Sequence, residues 1–546
     1  MEWQAGNLSQ AQSRLRTALA LTEDVRGRVA GEYSRTTYFA ARQKYYATAI
    51  DLLMVLHARH PSGGFDAEAF ETSERERARS LLDLLEESRA DIRRGVDPSL
   101  LAREREQQQQ LDFWSYRLAA LVDRKDAEAE AAHVREKINE LLGDYRETEA
   151  RIRAASTAYA TLAKPPLLSL EQVQRQVLDS KTMLLRFVLG DRQSYVWALT
   201  PRSLRVVALP AKADIESTAR RVYELVSEKR LPSNATQLLE EYQREAKKLS
   251  ATLLAPVAAE LKARRLLIVC DGALQFVPFA ALPEPFAPIP LVARHEIVML
   301  PSASTLAVLR RQVAGHLPPP KTIAVLADPV YEPNDPRVAR HRTARSTAAT
   351  ALPPSRLPFS RFEGESILSL VPASQRYAAF GFAASLATAT SRVLRDYRIV
   401  HFAAHAMADH IHPELSGIVL SLVDPAGVPQ SGWLRLHDIF DASLRADLVV
   451  LSACQTAIGK DVPGEGVMGL ARAFFSAGAA RVVASQFKVE DEATAELMRA
   501  FYQAMLGPDG LSPAAALRAA QTTLLADSRW HDPHWWSAFV IIGEPR

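Results

Sequence analysis

Cys454 and His405 are the two side chains in this sequence whose types and positions suit covalent chemistry. Cys454 closes an apolar run, Asp447-Leu-Val-Val-Leu-Ser-Ala-Cys454-Gln-Thr, and is one of two cysteines in 546 residues. His405 closes a second run, Tyr397-Arg-Ile-Val-His-Phe-Ala-Ala-His405, 49 positions upstream. Each run reads as a short buried strand, and open α/β sheets present their chemistry at strand C-termini. The thiolate is the reactive form of cysteine, and a neighbouring imidazole can generate it or hold it as an ion pair. Packing offers the other reading, in which Cys454 is a small buried hydrophobe and His405 a satisfied core histidine. Spacing alone leaves the two level. Cys270, at the end of Arg265-Leu-Leu-Ile-Val-Cys270, is the rival thiol. No strand-end histidine precedes it at a comparable distance, so its expected role is packing.

The elements that must position this pair form an α/β pattern behind a helical region. Residues 1–162 read as helix, interrupted at Pro61-Ser-Gly-Gly64. Tyr45, Ala49, Leu52, Leu53 and Leu56 recur at helical spacing. Leu111, Trp114, Leu118 and Leu121 form a second such run, and Val134, Ile138, Leu141 and Tyr145 a third. The last two are out of phase, which favours a helical hairpin, or a long helix with a skip, over one continuous coiled coil. Pro165-Pro166 opens a β-rich unit over 165–316, with strands from Thr182, Ser194, Leu204, Arg265 and Glu296 and helices over 212–230 and 234–262. Leu317-Pro-Pro-Pro320 is a stiff linker. The unit over 321–546 begins with Thr322-Ile-Ala-Val-Leu-Ala-Asp328-Pro. It then alternates helices (362–370, 384–396, 465–477, 491–506, 512–526) with strands (397–403, 447–453, 480–486, 537–542). Alternation of this kind gives a mostly parallel sheet flanked by helices.

Composition narrows the function classes. Apolar residues make up 48% and charged residues 24%, and the net charge of +3 argues neither for nucleic acid nor for a membrane surface. Two cysteines make no disulfide framework, so a reducing, cytoplasmic setting is expected. Met1-Glu-Trp-Gln-Ala-Gly-Asn lacks the features of a signal peptide, and no apolar stretch approaches the ~20 residues of a membrane span. Asp409-His410-Ile-His412 lacks the spacing of a zinc site. There is neither a Gly-x-Gly-x-x-Gly fingerprint after a strand nor a phosphate-binding lysine motif, so no metal and no cofactor is expected. His531-Asp-Pro-His534-Trp-Trp reads as a packed turn, and His401 as a core or supporting histidine. Residues 333–358, with Arg337, Arg340, Arg342 and Arg345, read as a solvated basic loop, with docking or processing as the alternative.

Several segments, taken in order, resemble a CHAT domain, the caspase-like domain often found behind tetratricopeptide repeats. They are Asp271-Gly-Ala-Leu-Gln-Phe-Val-Pro-Phe-Ala-Ala-Leu282, Ala327-Asp-Pro-Val-Tyr331, His401-Phe-Ala-Ala-His405-Ala and Leu451-Ser-Ala-Cys454-Gln-Thr-Ala. Gly464-Glu-Gly-Val-Met-Gly-Leu-Ala-Arg-Ala-Phe-Phe-Ser-Ala-Gly-Ala and Trp535-Trp-Ser-Ala-Phe-Val-Ile-Ile-Gly543 complete the set. The resemblance covers about residues 165–546, and the helical N-terminus is similar to the family's repeat region only loosely.

The resemblance implies a caspase-like clan of cysteine peptidases, with a degenerate, inactive unit over 165–316 packed against the active one. It implies that Cys454 attacks a peptide carbonyl and that His405 manages the protons, with the backbone N–H groups of Ala406 and Cys454 holding the oxyanion. Such a donor is worth about 3 kcal/mol in the transition state. Ala406 stands where caspases carry glycine, which matters only if the site needs positive φ. Metacaspase-like sites hold a basic side chain with an acidic residue two positions before the cysteine. Here that residue is Ser452, so Asp328 is the remaining candidate for an acidic pocket, with Gln486, Phe487 and Lys488 for its other wall. The expected function is a latent cysteine endopeptidase acting on protein or peptide substrates, controlled by a protein partner at the helical region. A catalytically silent CHAT-fold scaffold is the alternative.

Overall fold

The computed structural model describes Trp3, residues 7–26, 43–89, Arg93, 95–121, 127–156, 167–315, 317–338, 354–409, 415–442, 444–452, 456–458, 466–488 and 490–546. Among these, five long helices open the chain: α1 (Leu8–Arg26), α2 (Gln43–Arg59), α3 (Phe65–Arg89), α4 (Pro98–Leu121) and α5 (Glu128–Ala155). The two out-of-phase apolar runs fall on α4 and α5. They close on one another as a small core of Leu111, Leu121, Val134, Ile138, Leu141 and Tyr145, with Trp114 and Leu118 at its edge.

The strands are β1 (Thr182–Val188), β2 (Ser194–Thr200), β3 (Ser203–Leu209), β4 (Arg265–Val269), β5 (Glu296–Met299), β6 (Lys321–Ala327), β7 (Arg376–Phe380) and β8 (Tyr397–Ala403). They continue as β9 (His405–Asp409), β10 (Gly417–Val419), β11 (Trp433–Arg435), β12 (Leu448–Leu451), β13 (Thr456–Ile458), β14 (Arg481–Ser485) and β15 (Phe539–Gly543). One sheet takes the order β3-β2-β1-β4-β5-β15-β14-β12-β8-β6-β7, and a smaller one the order β11-β10-β9-β13. All seven residues of β1 and all five of β15 are buried, so both faces of the large sheet are covered there.

The chain directions in the large sheet decide where chemistry can collect. From β1 through β4 and β5 to β15 the pairings are parallel, and so are those from β14 through β12, β8 and β6 to β7. Between these sets, β14 and β15 run antiparallel. The strands of the two α/β stretches therefore point opposite ways within a single sheet. Cys270, just past β4, lies at the opposite sheet edge from the C-terminal ends of β6, β8 and β12.

The remaining long helices are α6 (Lys212–Ser227), α7 (Ala235–Leu253), α8 (Ala303–Ala314), α9 (Pro358–Ser369), α10 (Gly466–Ser476), α11 (Asp491–Leu506) and α12 (Pro513–Ala526). Side-chain caps fix two of their starts: Ser302 accepts from Thr305 N before α8, and Ser512 accepts from Ala515 N before α12. Gly364 lets α9 lie close on the sheet, because a Cβ there would meet Phe380 at 2.7 Å and Val325 at 3.1 Å. Two departures from the sequence reading stand out. The helix expected over 384–396 is two short turns, Leu386–Ala389 and Arg392–Asp396, and β7 precedes them as an edge strand. The small sheet was not anticipated, since three-residue strands such as β10 and β11 are too short to show a period.

The helical region divides in its attachment. Ile50, Leu53, Phe70, Leu81, Leu82 and Leu85 of α2 and α3 belong to the same core as the sheet. Glu74, fully buried on α3, accepts from Ala303 N, Ser304 N and Ser304 Oγ at the start of α8. Arg186 of β1, also fully buried, donates to Asp271 at 2.8 Å and to Ser73 Oγ at 3.3 Å. The α4–α5 pair instead meets the small sheet. Leu415 joins its core, and Arg435 of β11 donates to Asp112 of α4 at 2.9 Å.

Candidate active site

Two pairs of neighbouring strands build the site. β8 and β12 are adjacent and parallel, with Phe402 opposite Leu451. Ser452 N–H continues the ladder to the Phe402 carbonyl at 2.9 Å. Beyond the large sheet the same two chain segments meet again as β9 and β13, with Ala408 opposite Thr456. His405 lies in this stretch as the first residue of β9, after a bend at Ala404, and not as the last residue of β8. Cys454 lies outside the described residues. Its described flanks, Ser452 and Thr456, are held beside Phe402 and Ala408.

Tyr331 fixes His405. Its hydroxyl accepts from the His405 backbone N–H at 3.2 Å, and its ring packs against the imidazole with centroids 5.3 Å apart. The Nε2 atom of His405 meets the carbonyl of Ser355 at 2.7 Å. Among the described residues its buried Nδ1 has no hydrogen-bond partner. Burial lowers the pKa of His405; the Ser355 carbonyl opposes that shift and the Lys488 charge adds to it. Ala406 follows in β9 opposite Ile418. It is not among the described residues with positive φ, so alanine is unstrained there.

Asp328 follows β6 at φ 52°, a left-handed conformation that Asp tolerates better than most residues. Its carboxylate is buried and faces arginines. Arg356 donates from Nε to Oδ1 at 2.8 Å and from Nη2 to Oδ2 at 3.0 Å. Arg337 reaches Oδ2 at 2.8 Å and also donates to the Asp328 carbonyl at 2.9 Å, while Arg361 stands 3.8 Å away. Arg356 and Arg337 thus pair with the carboxylate that was expected to form an acidic pocket. Arg340, Arg342 and Arg345 of the basic segment lie outside the described residues, as do His410 and His412.

Gln486 and Phe487, expected for the other wall of such a pocket, are buried. Phe487 is 1% exposed, set edge-on to Tyr223 and stacked on His534. Gln486 is buried and donates to the Gln275 carbonyl at 2.8 Å. Both side chains are buried at the seam between the two halves of the sheet. Lys488, just beyond, is exposed. His401 is a core histidine, with Nδ1 3.0 Å from Tyr502 Oη and Nε2 2.9 Å from Glu363. Cys270 is buried, and burial pushes its thiol up to about 12, which disfavours the thiolate. Tyr331, Ser355 and Arg356 went unnoticed in the sequence as site residues. Tyr331 stands inside the quoted Ala327-Asp-Pro-Val-Tyr331 segment, whereas Arg356 is one of several arginines in a basic stretch.

The chain matches the CHAT domain model over residues 243–544, more than half of its length, and belongs to that family. Tetratricopeptide repeat protein 28 of Homo sapiens is 25% identical over 317 residues, which is 51% of this chain and 12% of that protein. The chain therefore spans about an eighth of the length of the curated relatives it matches. Among solved structures it is similar to the Saccharomyces cerevisiae separase–securin complex, with a TM-score of 0.47 and 11% identity, covering 100% of this chain and 48% of the other. It is also similar to the Porphyromonas gingivalis RgpB pro- and mature domains, with a TM-score of 0.33 and 8% identity, covering 61% of this chain and 76% of the other. Among the described residues no helix is long and apolar enough to cross a membrane.

Proposed function

We propose that this protein is a latent cysteine endopeptidase of a reducing, cytoplasmic compartment. Cys454 is its nucleophile and His405 its proton carrier. The observation that carries the reading is the double strand pairing: β8 beside β12 and β9 beside β13 hold both flanks of Cys454 along the stretch that carries His405. The Nδ1 atom of His405, buried and without a partner among the described residues, is the nitrogen left to serve a thiol. In this reading His405 takes the Cys454 S–H proton, the sulfur forms a C–S bond to a peptide carbonyl carbon, and the oxyanion rests on the Ala406 and Cys454 N–H groups. Collapse breaks the C–N bond as His405 delivers a proton to the leaving amine. Water then attacks the thioester, giving its proton to His405 and releasing the thiolate. Asp328 supplies the acidic pocket for a basic substrate side chain. The unit over 165–316 is the inactive half, since its own strand-end thiol, Cys270, is buried at the opposite sheet edge.

Control by a protein partner at the helical region belongs to the same proposal. Its support is the α4–α5 pair, tied through Arg435–Asp112 and Leu415 to the small sheet that carries His405. The test is digestion of a peptide library read by mass spectrometry. New termini should accumulate slowly with wild type, at the basal rate of a latent enzyme, and vanish in Cys454→Ala and His405→Ala. Cleavage that persists in Cys454→Ala would sink the proposal, and a library left intact by wild type would favour the silent scaffold.

A further inference from the structure

Two consecutive residues ahead of α9 contact Asp328 and His405. The Arg356 guanidinium grips the buried Asp328 carboxylate through two parallel hydrogen bonds. One residue earlier, the Ser355 carbonyl sits 2.7 Å from His405 Nε2. The chain is pinned immediately downstream, where Phe359 N–H donates to Asp491 at 2.8 Å and Ser360 Oγ to the Leu357 carbonyl at 2.6 Å.

The arginines around Asp328 are not equivalent. Arg337 comes from the turn that follows Asp328. It holds the Asp328 and Pro329 carbonyls and pairs with Asp335 at 2.7 Å, so it is part of the pocket wall. Arg361 is engaged with Glu365 at 2.9 Å. Arg356 arrives from outside that turn, and its side chain is 43% exposed above a carboxylate that is 0% exposed. A two-pronged guanidinium–carboxylate contact is the geometry by which proteins recognise arginine side chains, and lysine cannot reproduce it. Asp491 and Glu363 add negative charge nearby.

We propose that Ser355–Arg356 is a resident stand-in for substrate. The cleft accepts extended peptides that carry an arginine, and the chain keeps it filled with its own. This rests on the peptidase reading for the identity of the cleft, but its test needs no catalysis. Tethering through a short segment gives the internal arginine an effective concentration on the order of millimolar, so a free peptide of comparable intrinsic affinity competes poorly until that arginine is removed.

The experiment uses the full chain in a Cys454→Ala background, with and without Arg356→Ala. A dye-labelled synthetic peptide with the sequence of residues 354–360, Pro-Ser-Arg-Leu-Pro-Phe-Ser, is followed by fluorescence anisotropy beside a control peptide with alanine for arginine. Arg356→Ala should tighten binding of the arginine peptide at least about tenfold, and Arg356→Lys should fall between. The control peptide should bind neither protein, and adding Asp328→Asn should erase the gain. Arg337 keeps a cation on Asp328 in the Arg356 variants, and matching melting temperatures verify that they fold. Equal or undetectable binding in the two proteins, or a gain that survives Asp328→Asn, would overturn the proposal. An unreactive Cys454 thiol in the wild-type chain, with these binding results intact, would remove the peptidase reading alone.

Discussion

Burial lowers the pKa of His405, so near neutral pH its imidazole is uncharged and can accept a proton. The consequence is a sign that can be measured. As pH falls, a histidine with a depressed pKa becomes charged later than an ordinary one near 6.5. If this residue activates Cys454, the acid limb of alkylation rate against pH should have its midpoint below 6.5; a midpoint at or above that value contradicts the assignment. Tyr331 acts on His405 through the backbone and the ring face. Tyr331→Phe keeps the ring and removes the acceptor, so it should lower the alkylation rate while leaving the pH midpoint in place. Cys270 makes the contrasting case, since its burial at the far sheet edge should leave it unmodified while the protein is folded. The sequence put Cys454 and His405 at strand ends; the expected strands exist as β8 and β12, but His405 starts β9 and Cys454 lies outside the described residues. It could not show that His405 starts a new strand after Ala404, because a one-residue bend leaves no periodic trace.

At the scale of elements, the small sheet is the joint between helices and chemistry. β9 carries His405, β10 pairs with it, and β11 carries Arg435, whose guanidinium reaches Asp112 on α4 and lies over the Trp433 ring at 4.0 Å. Arg435 is 2% exposed, so removing its partner strands a buried charge. Asp112→Ala should cost about 3 kcal/mol in urea unfolding and loosen the α4–α5 pair first, visible as faster amide exchange over 98–155. Unchanged exchange there would separate the helices from the site. The sequence made the helical pair legible through its out-of-phase apolar runs, and the long buried strands legible through their Val, Ile and Leu content. It left the joint illegible, because its strands are three to five residues long and its contacts join positions as distant as Asp112 and Arg435.

At the scale of the molecule, α2 and α3 share one core with the large sheet. α3 is part of that body: Phe70 is fully buried in the shared core, and Glu74 satisfies the start of α8. Deleting residues 1–160 should therefore give an aggregated or molten product, read by loss of the near-ultraviolet circular dichroism of the intact protein. Phe70→Ala should cost about 3–5 kcal/mol. A soluble, cooperatively folding fragment would show that the helical region is a detachable module. The CHAT match begins at residue 243, yet the sheet begins at Thr182, so the folded body extends N-terminal to the family segment.

The central claim is an activated thiol at Cys454 served by His405. It is tested most directly with a small haloacetamide, which needs no open cleft, on wild type, His405→Ala and Cys454→Ala, with the modified residue mapped by mass spectrometry. The account predicts fast, selective alkylation of Cys454 in wild type that falls about 100-fold in His405→Ala and is absent in Cys454→Ala. Slow alkylation of Cys454 and Cys270 at equal rates, indifferent to His405, would contradict it.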